Sequence, residues 1–429
     1  MDFAPQFILK STLPCGSRCA PQRSLPLDGR NELFCLIDIL FASHCVPNPP
    51  NKGEKIRAFH SVNALCKDFR VHLACLARNA EEVSAAQELS DRCASVYAQP
   101  ISAVALPAAA VRFALGGCLN FAYFHSRPML QYLDDLARRV PLQAGVAFSA
   151  VMAPYVPSHV PCILDMQDVD SEKWYEYAKS RRPALPYRME AKRLRQEEIR
   201  WARSAVRTIF TTRNEEKLFQ SFAPDVSTTY MENGVDFEYF DPARTPAVED
   251  LARRQYVVFT GTMDYWPNID AAQWFATRVL PELRRKCPQM EFYIVGRNPD
   301  KPVLALAGRP GVHVTGTVAD IRSYLKHAQA VVTPLRIARG IQNKVLEALA
   351  MGRPVLVSTE VARTFGADVP SGMIACDLEQ AYVHHLSAGK WIADSPEVRQ
   401  ALLRRFSWST NLQVLRGAVA DAAAMKSAV

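Results

Sequence analysis

Between residues 330 and 354 the chain reads AVVTPLRIARGIQNKVLEALAMGRP, its densest set of residues able to do chemistry. An apolar run ends at Pro334, a loop carries Arg336 and Arg339, and Gly340 leads into a helical pattern. The N–H groups that open a helix attract an anion, and a glycine there lets a ligand approach the backbone closely. Lys344 and Glu347 stand three residues apart and share one face of the expected helix. A cation in the first turn with a carboxylate one turn on suits a nucleoside diphosphate. Lys344 would reach phosphate, and Glu347 would accept from two ribose hydroxyls. The plainer reading of the same spacing is an exposed ion pair worth about 0.3 kcal/mol.

A second group follows the apolar run 161–166: Gln167, Asp168 and Asp170. The two aspartates could orient an acceptor or serve as a base. They could equally cap a helix beginning at Ser171, which reads as DxxS followed by Glu.

Short apolar runs alternating with helical patterns must position these groups. Strands are expected at 33–41, 70–76, 94–98, 145–150, 161–166 and 206–211, with helices at 57–68, 82–92 and about 186–204 between them. The second half repeats the pattern: strands at 255–260, 290–296, 311–316, 330–334 and 354–358, helices at 268–286, 319–327 and 341–351. Strands apolar on both faces and separated by helices predict parallel sheets covered on both sides. The fold class expected is α/β, with two doubly wound Rossmann-like domains facing across a cleft. We place an unassigned extension at 1–30, a first domain at 31–235, and a second domain at 236–400. A helix over 401–429 then crosses back to the first domain. The joint falls near MENGVDFEYFDP, 231–242, where turn residues and proline interrupt the periodicity.

Composition narrows the setting. The 429 residues are 49% hydrophobic and 22% charged, which excludes a disordered or collagen-like chain. The net charge is +8, and residues 179–207 hold ten Lys/Arg against three Glu, so most of the surplus sits in one segment. Tyr187, Ala191, Leu194, Trp201, Ala205 and Ile209 recur there at helical spacing, with Arg188, Lys192, Arg195, Arg203 and Arg207 on other faces. Such a helix either buries an apolar stripe beneath a solvated basic face or docks on anionic lipid. The eleven cysteines follow no paired Cys/His spacing, so reduced thiols and no zinc site are expected. The first 30 residues lack the apolar core of a signal peptide, and no apolar run makes a convincing membrane span. No GxGxxG follows the first strand of either half, which argues against a dinucleotide oxidoreductase. No nucleic-acid-binding signature accompanies the basic segment, so no nucleic-acid partner is expected.

The segment GIQNKVLEALAMGRPVL resembles the donor-binding helix of the two-domain, GT-B-fold nucleotide-sugar glycosyltransferases of the large family 4 group. In order along the chain, ENGVD (232–236), FTGTMDYWPNIDA (259–271), FYIVGRNP (292–299), VHVTGTVADIRSYL (312–325) and FSW (406–408) are similar too. PPNKGEKIRAFH (49–60) and DMQDVDSEKWYEYA (165–178) resemble the sugar transferases of bacterial exopolysaccharide clusters associated with the PEP-CTERM/exosortase system.

The resemblance implies transfer of a sugar from a nucleoside-diphosphate sugar to an acceptor hydroxyl, usually with retention and without a bound metal. It implies no cofactor beyond that substrate. The letters of Asp168-Val169-Asp170 match a metal-binding DxD, but metal-dependent transferases of that kind have another fold. Gly261 and Thr262 would face the diphosphate, although the usual basic residues of that loop are missing here. Gly316, Thr317 and Val318 would flank the base. Gly340, Lys344 and Glu347 complete the donor set. The family's motif carries a glutamate eight positions before Glu347, where this chain has Arg339. An arginine accepts no hydrogen bond but clamps phosphate bidentately. Arg339 and Lys344 are therefore expected to neutralise the leaving diphosphate, with Asp168 as the remaining catalytic group. The family's usual His-Asp pair reads Gln167-Asp168 here. Asn51, Lys52, Gly53 and Asp170 are expected on the acceptor side of the cleft. The partners implied are a nucleotide-sugar donor, a lipid-linked or glycan acceptor, and an anionic membrane surface met through 179–207. That places the protein in the cytoplasm, peripheral on the inner face of the cell membrane. An epimerase of nucleotide sugars on the same fold is the alternative, and a non-enzymatic anionic-surface-binding protein a more distant one.

Overall fold

The computed structural model describes residues 37–427, excepting Arg339, Ala367 and residues 390–395. The extension at 1–30 and the first residues of the strand expected at 33–41 therefore lie outside the described residues.

Two wholly parallel sheets form the frame. The first is built from β1 (Asp38–Ser43), β2 (Arg70–Ala77), β3 (Ser95–Pro100), β4 (Ala144–Phe148), β5 (Cys162–Gln167), β6 (Arg207–Phe210) and β7 (Thr228–Tyr230). The second uses β8 (Tyr256–Thr260), β9 (Glu291–Val295), β10 (Val312–Gly316), β11 (Ala330–Thr333), β12 (Val355–Val357) and β13 (Met373–Ala375). The orders are β3-β2-β1-β4-β5-β6-β7 and β10-β9-β8-β11-β12-β13. The two Rossmann-like halves thus share one topology. In such sheets the strand order reverses at one point, and a crevice opens there beyond the carboxyl ends. Here those points are β1/β4 and β8/β11.

Burial explains why the apolar runs become these strands. Ile39 and Phe41 pack into one core while Leu40 and Ala42, on the opposite face of β1, pack into another. A strand buried on both faces needs apolar residues at every position. The second sheet has one continuous core, from Val235 to Phe406.

The C-terminal segment returns to the first sheet, as expected. It is not one helix, however: residues 401–406 end the helix Pro396–Phe406, and Trp408–Asn411 and Gln413–Ser427 follow it. Leu412, Leu415, Val419 and Ala422 join the core that holds Ile39 and Phe41. The ENGVD and FSW segments meet: the Val235 N–H donates to the Phe406 carbonyl at 2.8 Å.

Several expectations shift. The helix expected over 268–286 runs as Trp266–Trp274, a widened turn Phe275–Val279, and Leu280–Lys286. Pro281 has no N–H to donate, and the wider turn accommodates that missing bond. The helix expected at 57–68 begins earlier, at Gly53, and ends at Leu65. Strands β7 and β13, three residues each, were too short to leave a periodic signal. Helices Ala105–Ala114 and Arg127–Arg139 were also missed, the first because alanine and proline blur its pattern.

Among the described residues the eight cysteines are free. Among them, too, no helix is long and apolar enough to cross a membrane.

Candidate functional site

The donor-side group gathers at the β8/β11 crevice. Gly261 follows β8, and the loop after β11 leads through Gly340 into the helix Asn343–Ala350. Lys344 on that helix donates to the Asn268 side-chain oxygen at 2.8 Å and lies 4.5 Å from the centre of the Phe259 ring. Its partner is thus Asn268, not the Glu347 of the plain ion-pair reading. The Asn268 amide in turn donates to the Thr262 carbonyl at 2.8 Å. A Cβ built on Gly261 would stand 2.9 Å from Lys344 Nζ, so the bare backbone leaves the lysine room. Burial pulls the Lys344 pKa down to about 7 and pushes that of Glu347 up to about 7. A lysine so placed gains its proton most readily when an anion arrives.

Gly296, after β9, packs on this loop so tightly that a Cβ would overlap the Gly261 carbonyl. Its N–H reaches the Gly316 carbonyl at 3.2 Å, tying the β9 and β10 ends together. Thr317 beyond Gly316 is exposed, and Val318 is partly buried against the second core. The three expected base-flanking residues therefore form a separate loop, joined to the Gly261 loop through Gly296.

Asp168 approaches from the first sheet. The β5/β6 register shifts between Asp165 and Gln167, and Gln167 adopts φ 70°. A bulge of this kind re-aims the next side chain. The Thr211 N–H and hydroxyl hold the Gln167 carbonyl at 2.6 and 3.0 Å, which fixes the kink. Among the described residues the other non-glycine residues of positive φ are Ser149 and Asn298, which stand beyond β4 and β9. Strained backbone thus clusters at strand ends that face the cleft.

The capping reading of the aspartates fails. The helix begins at Asp170, and its first N–H groups are satisfied from elsewhere: Val169 N–H by Glu215 at 2.8 Å, Ser171 N–H by Glu198 at 3.0 Å. Asp168 Oδ1 is buried with no hydrogen-bond partner among the described residues. It sits against Gly340, where a Cβ would come within 2.6 Å of it. Gly340 also has φ 60°, which favours glycine. Burial, then the charges of Glu215 and Asp170, push the Asp168 carboxyl up to about 7. Asp170 lies 3.9 Å from Lys173, whose ammonium stands 5.9 Å from the Tyr265 ring centre.

A third group was only half legible in sequence. Arg297 donates across the cleft to the Asn51 carbonyl at 3.1 Å. Lys52 is held below its ordinary pKa by burial and then by Arg78 and Arg297. These cations from both halves crowd one place, as a polyanionic ligand requires. Gly53 opens the helix Gly53–Leu65 and faces open space. Beside them, at the β1/β4 switch point, His44 Nδ1 lies 3.0 Å from the Phe148 carbonyl and its Nε2 lies 3.9 Å from Glu54. Burial lowers the His44 pKa, but the Glu54 carboxylate more than offsets this and holds it raised. Sequence reasoning missed His44, Arg78, Asn268 and Arg297. Arg297 stood within FYIVGRNP, one residue past a glycine at a strand end, a signal of the kind used elsewhere in the chain.

Arg336 forms an ion pair with Asp270. Arg339 lies outside the described residues. The basic segment forms the helix Ala184–Ser204, and much of its charge is engaged within the chain. Arg193 donates to the Phe113 and Gly117 carbonyls, Arg195 pairs with Glu172, and Arg203 pairs with Asp225. No group of three or more potential metal ligands occurs among the described residues.

Residues 254–387, within the second half, match the family model described as "Glycosyl transferases group 1". A search of curated proteins returned no match. Sucrose-phosphate synthase from Thermosynechococcus elongatus has a similar structure, with TM-score 0.63, 14% identity, and coverage of 89% of this chain and 98% of that one. Anabaena HepE, in complex with UDP-glucose, gives TM-score 0.60 and 12% identity over 90% of this chain and 100% of its own. A putative UDP-N-acetylglucosamine 2-epimerase from Listeria monocytogenes gives 0.52 and 11% over 88% and 94%. At these identities the likeness is one of fold, and the fold is that of the GT-B glycosyltransferases.

Proposed function

We propose that this chain is a glycosyltransferase that moves a sugar, of the hexosyl type, from a nucleoside-diphosphate sugar to an acceptor hydroxyl. The observation that carries the reading is the placement of Lys344 and Glu347 beyond the β8/β11 crevice, one turn apart on a helix whose entry, Gly340, touches Asp168. Lys344 takes the diphosphate and Glu347 the ribose. Gly261 and Thr262 back the phosphates, and Gly316, Thr317 and Val318 flank the base.

In the reaction the acceptor oxygen bonds to the anomeric carbon as the bond from that carbon to the phosphate oxygen breaks. The diphosphate leaves with the electron pair. Lys344, Arg297, the Arg339 side chain and the helix start meet its growing charge, which is where fixed positive groups lower the barrier most. With retention, the acceptor enters on the side of the leaving group and its proton passes to the departing phosphate oxygen. Asp168 orients that hydroxyl, and Asn51, Lys52, Gly53 and Asp170 border the acceptor. No metal and no cofactor take part in this scheme. The setting is synthesis of bacterial exopolysaccharide or a related glycan, by a member of the family 4 group working at the inner face of the cell membrane.

The epimerase reading is kept because an epimerase shares the fold. Incubation with nucleotide sugar alone, followed by product analysis, separates the two. A transferase leaves the sugar's configuration unchanged until an acceptor is added. Inversion of a sugar carbon with donor alone would establish the epimerase instead.

A further inference from the structure

A cavity of about 260 Å³ lies on the first half, away from Lys344 and Glu347, lined by the ends of β2 and β3 and the start of the helix Arg127–Arg139. Arg112, His125 and Arg127 line it, with Tyr123 and Phe124 between them, and no carboxylate does. Neither arginine side chain has an ion-pair partner among the described residues. Burial, then the two guanidiniums, hold His125 below its ordinary pKa, so like charges are crowded here without internal compensation. Phe124 connects the cavity to the cleft, edge-on to His44 with ring centres 5.7 Å apart.

The wall that supplies Arg112 is the helix Ala105–Ala114, and its outer surface is apolar. Val104, Val111 and Leu115 recur at helical spacing on one stripe and are 65, 61 and 82% exposed. Arg193 pins this helix to the basic one, lying 4.6 Å from the Phe113 ring centre. On that basic helix Leu185 and Met189 are exposed, and Arg188 and Lys192 are exposed beside them. A cationic cavity rimmed by exposed apolar side chains matches an amphiphile with an anionic head and a hydrocarbon tail.

We propose that this cavity binds the phosphate of a lipid-linked acceptor through Arg112, His125 and Arg127, while the Val104–Val111–Leu115 stripe bears its hydrocarbon chain. The inference rests on the glycosyltransferase reading for the word acceptor, but the site itself stands on its own residues. Guanidiniums bind phosphate bidentately, and an anionic head held by Arg112 leaves the tail along the apolar helix that carries it.

The test is binding of farnesyl diphosphate to the full chain by calorimetry, beside inorganic pyrophosphate and a nucleotide panel. The prenyl compound should bind at least tenfold tighter than pyrophosphate. Arg112→Ala/Arg127→Ala should weaken its binding at least tenfold and leave nucleotide binding and the melting temperature unchanged. Leu115→Asp should weaken the prenyl compound and not pyrophosphate. Equal affinity for pyrophosphate would mean a free anion site and overturn the lipid assignment. Unchanged prenyl binding in the double variant, or none in the unaltered chain, would overturn the site. Loss of nucleotide binding alone would count against the glycosyltransferase reading and leave this site standing.

Discussion

The Asn233 amide donates to the Asn343 side-chain oxygen at 3.0 Å, linking the joint between the two halves to the first residue of the helix that carries Lys344. Asn233 is itself held by Arg57 Nη1 at 3.0 Å, and Arg57 makes a two-pronged pair with Asp165 of β5, 2.9 Å for each bond. A chain of side-chain bonds thus runs from the β5 strand, which Asp168 follows directly, to the helix Asn343–Ala350. Arg57 and Asp165 are both buried.

Removing one member of a buried pair strands the other charge, at a cost of about 3–5 kcal/mol. Arg57→Met should lower stability by about that amount in urea titration. Nucleotide affinity should fall further than the same loss produced by a core substitution remote from the joint.

Nucleotide binding should peak near neutral pH. Lys344 in the unliganded protein titrates at about 7, so above that pH it must regain a proton to bind diphosphate, and affinity falls. Glu347 also titrates at about 7, so below that pH it must lose a proton to accept from ribose, and affinity falls again. A nucleotide sugar, whose diphosphate does not titrate in this range, should show a bell-shaped affinity profile in calorimetry. Lys344→Met should abolish the alkaline limb and weaken binding about tenfold or more; Glu347→Gln should abolish the acid limb.

Asp168 should show the opposite balance of stability and function. Its carboxyl titrates at about 7 in the fold, above the ordinary value of about 3.9. A group with a raised folded pKa favours the fold while protonated and opposes it once ionised. The penalty is complete above about pH 7, shrinks as the pH falls, and is gone below about 4. Asp168→Asn should therefore raise the melting temperature by a few degrees at pH 8, and the gain should vanish near pH 4. Glycosyl transfer should fall about a hundredfold or more in the same variant.

Two glycines should tolerate no side chain. Gly340→Val would drive a branched Cβ into Asp168 at a φ that β-branched residues avoid. Transfer should drop at least tenfold. Gly296→Ala would force the β9 loop off the Gly261 carbonyl and should weaken nucleotide binding and cost about 1–3 kcal/mol.

The frame was legible because a strand buried on two faces must be apolar along its buried length, and runs such as YVVF in β8 and FYIV in β9 are. The positions of Gly261, Gly340, Lys344 and Glu347 at the second crevice followed from spacing and resemblance together. What was not legible depends on atoms brought together from distant segments. Glu198 and Glu215 displace the aspartates as helix caps from 27 and 46 residues away. Arg297 meets Asn51 across 246 residues. Three arginines of the basic segment depend on folding in the same way: Arg193 meets the Phe113 carbonyl, Arg195 meets Glu172 and Arg203 meets Asp225.

The most direct test of the donor site is a thermal-shift panel of UDP-, GDP- and other nucleotide sugars on the unaltered chain and on Lys344→Met/Glu347→Gln. A ligand that binds only the folded state raises the melting temperature by mass action. At least one nucleotide sugar should stabilise the unaltered chain by several degrees, and the double variant should lose that response while melting at its own unliganded temperature. No stabilisation by any nucleotide, or the same stabilisation in the double variant, would contradict the account.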